Sequence, residues 1–132
     1  MTLQDQTTLD KKDRDELVDF TIRLGQVCWD IYCQSKIGFV RVFMLPNDKL
    51  RRRANELFQL GFSGRMLMCP PSVPDTDGES LWTNYLGSQK GKVVLDGAAY
   101  PDTPEVVLNY AKEFFLEGFR AGTIAIRQIF ES

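Results

Sequence analysis

The sequence contains no histidine, and this absence removes several kinds of chemistry. Imidazole is the general base of Ser-His and Cys-His nucleophiles, and it is a ligand in most zinc sites. An enzyme built from this chain would have to work with aspartate, glutamate, lysine, tyrosine or arginine side chains alone. No pair of carboxylates stands out at an active-site spacing. We therefore expect a protein that is not an enzyme and that holds neither a cofactor nor a metal ion.

Cysteines and long apolar runs are also scarce. The three cysteines, Cys28, Cys33 and Cys69, form no Cys-x-x-Cys pair, and we expect them to be buried thiols. No apolar run reaches the roughly 18 residues that a membrane-spanning helix needs. The polar N-terminus has no signal-peptide core. These features predict a cytoplasmic protein with no membrane partner.

Neither sign of charge dominates, since 16 basic and 18 acidic residues give a net charge of −2. Such a balance produces no global field that would draw the chain to nucleic acid. A hydrophobic content of 43% and a length of 132 residues suit one soluble domain. We expect residues 1–9 to form a flexible tail and residues 10–132 to form a single α+β domain.

Two long amphipathic helices are predicted at the ends of this domain, over about residues 10–36 and 104–130. The second helix follows a capping residue, Asp102 or Thr103. Its apolar side contains a narrow stripe of small residues: Ala111, Gly118, Gly122 and Ala125. Small side chains let two backbones approach closely. The stripe therefore predicts a close crossing with the first helix or with a symmetry mate.

The first long helix is apolar on two sides. Its main stripe consists of Leu17, Phe20, Leu24, Val27, Cys28 and Ile31, and a weaker stripe consists of Val18, Ile22, Trp29 and Cys33. A single chain with a small sheet provides too little surface to cover both stripes. We therefore expect a homodimer or a higher homo-oligomer, with an interface that includes Val18, Ile22, Trp29, Gly118 and Gly122.

A short helix and a modest antiparallel sheet are predicted between the two long helices. Residues 39–45 are rich in β-branched and aromatic side chains, which favours a strand, with a helical continuation as the rival interpretation. The short helix covers residues 49–60 and ends at Gly61, and residues 65–69 form a second possible strand. The Asp-Gly pair within residues 93–100 suits a type I′ turn and predicts a hairpin.

A basic cluster occupies the start of the short helix: Lys49, Arg51, Arg52 and Arg53. Cations are unfavourable at this end of a helix dipole. A cluster there suggests an anionic partner, such as a phosphate-bearing ligand, an RNA backbone or an acidic protein surface. The alternative is internal neutralisation by Asp48, Glu56 and the acids of residues 75–79.

The aromatic pair Trp82 and Tyr85 is a second candidate contact for a ligand or partner, or else it pins a loop to the body of the domain. These features lead to one principal function and two rivals. The principal hypothesis is a non-enzymatic, homo-oligomeric protein of regulatory, inhibitor or accessory type that acts by binding a protein partner. The alternative is a binding module for a nucleotide or RNA that uses the basic cluster. A small enzyme with carboxylate or tyrosine chemistry is the third hypothesis.

Overall fold

A computed structural model of the chain describes residues 11–69, 74, 77–95 and 100–131. Helices make up 83% of these residues. The described part of the chain contains five helices: α1 Lys11–Gln34, α2 Lys36–Phe43, α3 Asp48–Met68, α4 Gly78–Ser88 and α5 Glu105–Glu131. The two long terminal helices are confirmed. The predicted tail lies outside the described residues.

The predicted α+β fold with an antiparallel sheet is wrong, because the described residues contain no strand. An isolated parallel bridge joins Lys90 to Tyr100. The Tyr100 carbonyl accepts a hydrogen bond from the Gly91 N–H at 2.8 Å, and the Tyr100 N–H donates to the Lys92 carbonyl at 3.0 Å. Residues 93–95 form no strand. The turn of the predicted hairpin, residues 96–99, lies outside the described residues.

Residues 39–45 form no strand, because most of them continue a helix. Ser35 separates α1 from α2 and caps α2, since its hydroxyl accepts a hydrogen bond from the Gly38 N–H at 3.1 Å. Gly38 lies inside α2 rather than ending a helix. A Cβ atom at this position would overlap the carbonyl oxygen of Tyr32, so glycine permits the tight turn between the two helices. The cap and this contact override the β propensity of the sequence.

The short helix predicted to end at Gly61 continues to Met68 as α3, so the predicted strand over residues 65–69 is also wrong. Gly61 lies at the crossing of α3 and α5. A Cβ atom on Gly61 would overlap the carbonyl oxygen of Phe115, and one on Gly118 would overlap that of Phe58. The predicted close crossing of the small-residue stripe is therefore present. Its partner is α3 of the same chain, rather than α1 or a symmetry mate.

An aromatic core surrounds this crossing. The Trp29 ring of α1 meets the Phe58 ring edge-on at 5.3 Å, and the Trp82 ring of α4 lies 5.2 Å from that of Phe115. The side-chain amide of Gln59 donates to a carbonyl of α1 at 2.9 Å. Helices α1 and α4 thus both pack on the α3–α5 pair.

The two apolar stripes of α1 are not divided between core and surface as predicted. Its buried residues are Thr21, Gly25 and Trp29, and Trp29 is only 8% exposed. The weaker stripe therefore supplies the tryptophan of the core. The main stripe is largely exposed, although it was expected to face the interior. Gly25 allows this arrangement, because its missing side chain leaves room for Gln59 and Phe62 of α3.

Within the described residues, no helix combines the length and the apolar character that crossing a bilayer requires.

Candidate functional site

The candidate site begins with an exposed row of apolar side chains on α1, which we call the α1 seam: Leu17, Phe20, Leu24, Val27 and Ile31. Phe20 is 44% exposed, Val27 52% and Ile31 62%. The members follow one another at alternating spacings of three and four residues. This is the repeat by which helices of a coiled coil face a partner helix. The seam therefore has the pattern of a helix-packing surface, yet the described part of the chain leaves most of it exposed.

An apolar groove of about 450 Å³ lies between the α1 seam and α5, and we call it the α1–α5 groove. Leu24, Val27 and Ile31 line its α1 wall, and Ala121, Ile124 and Ala125 line its α5 wall. Phe58 of α3 also reaches this space. Two of the α5 residues are alanines, so the groove is open where longer side chains would fill it.

A polar network fixes one end of the groove and joins three helices. The guanidinium of Arg41 in α2 pairs with Glu113 at 3.1 Å and with Glu117 at 3.6 Å, both on α5. The same group donates a hydrogen bond to the hydroxyl oxygen of Tyr32 in α1 at 3.3 Å. Glu117 is also paired with Arg120. Tyr32, Glu117 and Arg120 also line the groove, so its mostly apolar walls carry a few polar side chains.

Burial keeps Tyr32 neutral, and the network keeps Arg41 charged. Burial raises the pKa of Tyr32 above its ordinary value, against the hydrogen bond from Arg41, which lowers it. The pKa of Arg41 is raised, first of all by its hydrogen bond to Tyr32. Neither group is poised for proton transfer near neutral pH. Sequence reasoning missed this network because residue 41 stood inside a predicted strand; a lone arginine in an apolar run was the available signal.

Cys28 lines the groove but is poorly suited to nucleophilic chemistry. Burial raises the pKa of its thiol, so the reactive thiolate is depleted near neutral pH. The pKa of Cys33 is raised by burial and by the charge of Asp30. All three cysteines are free and half-buried rather than fully buried as predicted.

The basic cluster is not brought together as one site. Arg53 donates hydrogen bonds to the Val94 carbonyl at 2.8 Å and to the Tyr85 hydroxyl at 2.9 Å, and it pairs with Glu56. Arg51 donates to a carbonyl before α3 at 3.0 Å and pairs with Asp48. These two arginines follow the alternative interpretation of internal neutralisation. Lys49 and Arg52 are exposed.

The two aromatic candidates, Trp82 and Tyr85, pack against the core of the domain. Trp82 is buried and stacks on Tyr85 at 5.5 Å, and both rings pack on Phe115 of α5. This agrees with the interpretation that the pair pins a segment to the body of the domain. Arg53 completes that attachment through the Tyr85 hydroxyl.

The predicted oligomer interface is divided between the core and the surface. Trp29, Gly118 and Gly122 are buried within the chain, so they offer no surface to a second copy. Val18 and Ile22 are exposed. The exposed apolar surface of α1 is therefore centred on the α1 seam, which sequence reasoning had assigned to the interior.

In the part of the chain that the structure describes, no group of three His, Cys, Asp or Glu side chains is placed to hold a metal ion. Comparison with protein-family models, with curated proteins and with solved structures finds no match for the chain. The function must therefore be inferred from the groove and its neighbours.

Proposed function

We propose that this protein is a non-enzymatic interaction protein that binds an amphipathic helix of a protein partner in the α1–α5 groove. The observation that carries the proposal is the exposed α1 seam, whose heptad spacing is that of a helix prepared to pack against another helix. A partner helix would insert its own apolar side chains between the two walls. This is the helix-in-groove mode of peptide recognition.

The shape of the surface favours a helix over a small molecule. From Leu17 to Ile31 the seam runs for about 20 Å along the α1 axis, at about 1.5 Å per residue. Small-molecule sites place a few polar groups among apolar walls to fix the ligand. Here Glu117 and Arg120 line the groove, but the apolar surface continues beyond it along α1 to the exposed Leu17 and Phe20. A long apolar track of this kind is typical of a protein interface.

Capture experiments with three baits test the proposal. The baits are the wild-type protein, Val27→Asp in the seam and Arg52→Asp on the exposed surface of α3. An aspartate in the groove loses apolar burial and must be desolvated, so the affinity of a groove partner should fall by about tenfold or more. Circular dichroism should show that all three baits are folded, because Val27 contributes little to the core.

The proposal expects a set of proteins that wild type and Arg52→Asp retain and Val27→Asp loses. If the Val27→Asp bait retained the same proteins as wild type, the proposal would be contradicted. The same baits address the alternative, a phosphate-bearing ligand or nucleic acid, which now rests on Lys49 and Arg52. That alternative requires loss of retention on Arg52→Asp and a steep decrease of binding with salt.

A further inference from the structure

We propose that the helix received by the α1–α5 groove is α1 of a second copy of this chain, lying antiparallel to the first. This inference deepens the proposed function and rests on it, because it names the helix that the groove binds. The two copies would be related by a two-fold axis, so each α1 would lie on the seam of the other. Two observations select this occupant: the seam is a self-complementary apolar row, and the charges beside it alternate.

The charges stand one residue before every second member of the seam. Glu16 precedes Leu17, Arg23 precedes Leu24, and Asp30 precedes the last seam residue. They thus recur every seven residues with the signs minus, plus, minus. All three are exposed, and within the described residues neither Arg23 nor Asp30 makes an ion pair. Charges that flank an apolar seam determine partner choice and orientation in coiled coils.

The register follows from pairing these charges. An axis that passes between Gly25 and Gln26 places Leu24 opposite Val27 of the partner subunit. The same axis puts Phe20 opposite Ile31 of the partner subunit. Arg23 then lies within a helical turn of Asp30 of the partner subunit, and the symmetry repeats this contact. Two ion pairs would therefore border an apolar centre formed by Phe20, Leu24, Val27 and Ile31 of both copies.

Other arrangements are less favourable. An antiparallel register centred about one turn earlier, at Ile22, places Arg23 beside Arg23 of the partner subunit, so like charges meet. In a parallel pair of α1 helices, the flanking charges of one copy would face the opposite border of the other copy's seam. That border consists of Thr21 and Cys28, which carry no charge near neutral pH. The antiparallel register therefore combines apolar contact with charge complementarity.

Charge exchange between two variants tests this register. Arg23→Asp places an acid against Asp30 of the partner subunit, and Asp30→Arg places a base against Arg23 of the partner subunit, so each variant alone meets repulsion. Mixing the two variants restores both attractive contacts in a heterodimer. The matched control is Asp15→Arg, which makes the same charge change on the face of α1 turned away from the seam. Sedimentation equilibrium on each protein and on the mixture gives the dissociation constants.

We expect wild type and Asp15→Arg to reach twice the 15.1 kDa chain mass. Each single variant should dimerise about tenfold more weakly or worse, and the equimolar mixture should recover wild-type affinity. A wild-type mass of one chain at all concentrations would overturn the inference, as would single variants that dimerise like wild type.

The outcomes also separate this inference from the proposed function. If the charge variants fail to weaken a dimer that Val27→Asp abolishes, the register is wrong while the groove remains a helix-binding site. If wild type is a monomer but the captured proteins depend on Val27, the groove binds another protein's helix and the second copy is excluded. If neither dimerisation nor capture depends on Val27, both proposals fail.

Discussion

The crossing of α3 and α5 depends on two residues without side chains, Gly61 and Gly118. Each faces the backbone of the other helix, and a single added carbon would collide with a carbonyl oxygen. A collision with backbone cannot be relieved by a rotamer change, so the helices would have to separate. The aromatic core around Phe58 and Phe115 would then lose its packing.

We predict that Gly118→Ala lowers the free energy of unfolding by about 1–3 kcal/mol or more, because overpacking outweighs the better helix propensity of alanine. The matched control is Gly87→Ala in α4, where an added carbon meets nothing within 4 Å. This control should be neutral or stabilising by up to about 1 kcal/mol. Urea denaturation of both variants checks the prediction, and equal stabilities would contradict it.

Tyr32 makes the free energy of unfolding depend on pH in the alkaline range. Its folded-state pKa is raised by burial, so the folded protein holds the phenolic proton more tightly than the unfolded chain. The stabilisation that comes from this tighter proton binding is fully present at pH values below the unfolded-state pKa of about 10. It is lost as the pH rises from that value through the folded pKa, because the unfolded state releases its proton first.

We predict that Tyr32→Phe removes part of the decrease in unfolding free energy above pH 10, while Tyr110→Phe on the exposed surface of α5 preserves that decrease. Near neutral pH, Tyr32→Phe should cost about 0.5–1.5 kcal/mol, since the hydrogen bond from Arg41 is lost. Urea denaturation of the two variants and wild type between neutral pH and pH 11 measures the difference. Identical pH profiles for wild type and Tyr32→Phe would show that the phenol is not responsible.

At the scale of elements, Arg53 attaches the segment after α4 to α3. Its guanidinium reaches the Val94 carbonyl and the Tyr85 hydroxyl, which lie 41 and 32 residues away in sequence. Val94 is fully buried, so losing the donor would leave its carbonyl without this hydrogen bond. The arginine therefore holds a stretch of chain that has little regular structure among its described residues.

We predict that Arg53→Met destabilises the fold by about 1–3 kcal/mol, since methionine keeps the apolar stem but donates no hydrogen bond. The neighbouring variant Arg52→Met should change stability by less than about 0.5 kcal/mol. Thermal melts of the two variants test this contrast. Equal melting temperatures would mean that Arg53 acts as a solvated charge, as the basic-cluster hypothesis assumed.

The sequence predicted the two terminal helices well because their amphipathic patterns extend over many turns. It failed at residues 39–45, where a short apolar run fits either a strand or a helix. There the capping hydroxyl of Ser35 and the contact at Gly38 decide the outcome. It also failed at Gly61, since a glycine that ends a helix and one that permits a helix crossing look alike in sequence. Because Gly61 was taken as the end of a helix, α3 was not recognised as the helix that crosses α5.

The main stripe of α1 was assigned to the core because it is the larger of the two apolar stripes, yet most of it is exposed. The packing face is instead marked by Thr21, Gly25 and Trp29, which recur every four residues and let α3 approach. The candidate site could not be predicted for this reason. The row that forms its wall had been placed in the interior.

At the scale of the molecule, the described residues bury an aromatic core around α3 and α5 but leave most of the α1 seam exposed. If the seam belonged to the core, a polar substitution in it would destabilise the fold. If the seam is an interface, the same substitution would leave the fold stable and weaken only the binding of the partner. Val27 distinguishes these two cases, since it lies in the seam and lines the groove.

The dependence of the melting temperature on protein concentration tests this distinction most directly. An assembly that binds only folded chains raises the melting temperature as the concentration increases. We predict such a rise for wild type between about 1 and about 100 µM, and a constant melting temperature for Val27→Asp that equals the wild-type value at high dilution. A lower melting temperature for Val27→Asp at high dilution would place the seam in the core, and a wild-type melting temperature independent of concentration would contradict association through it.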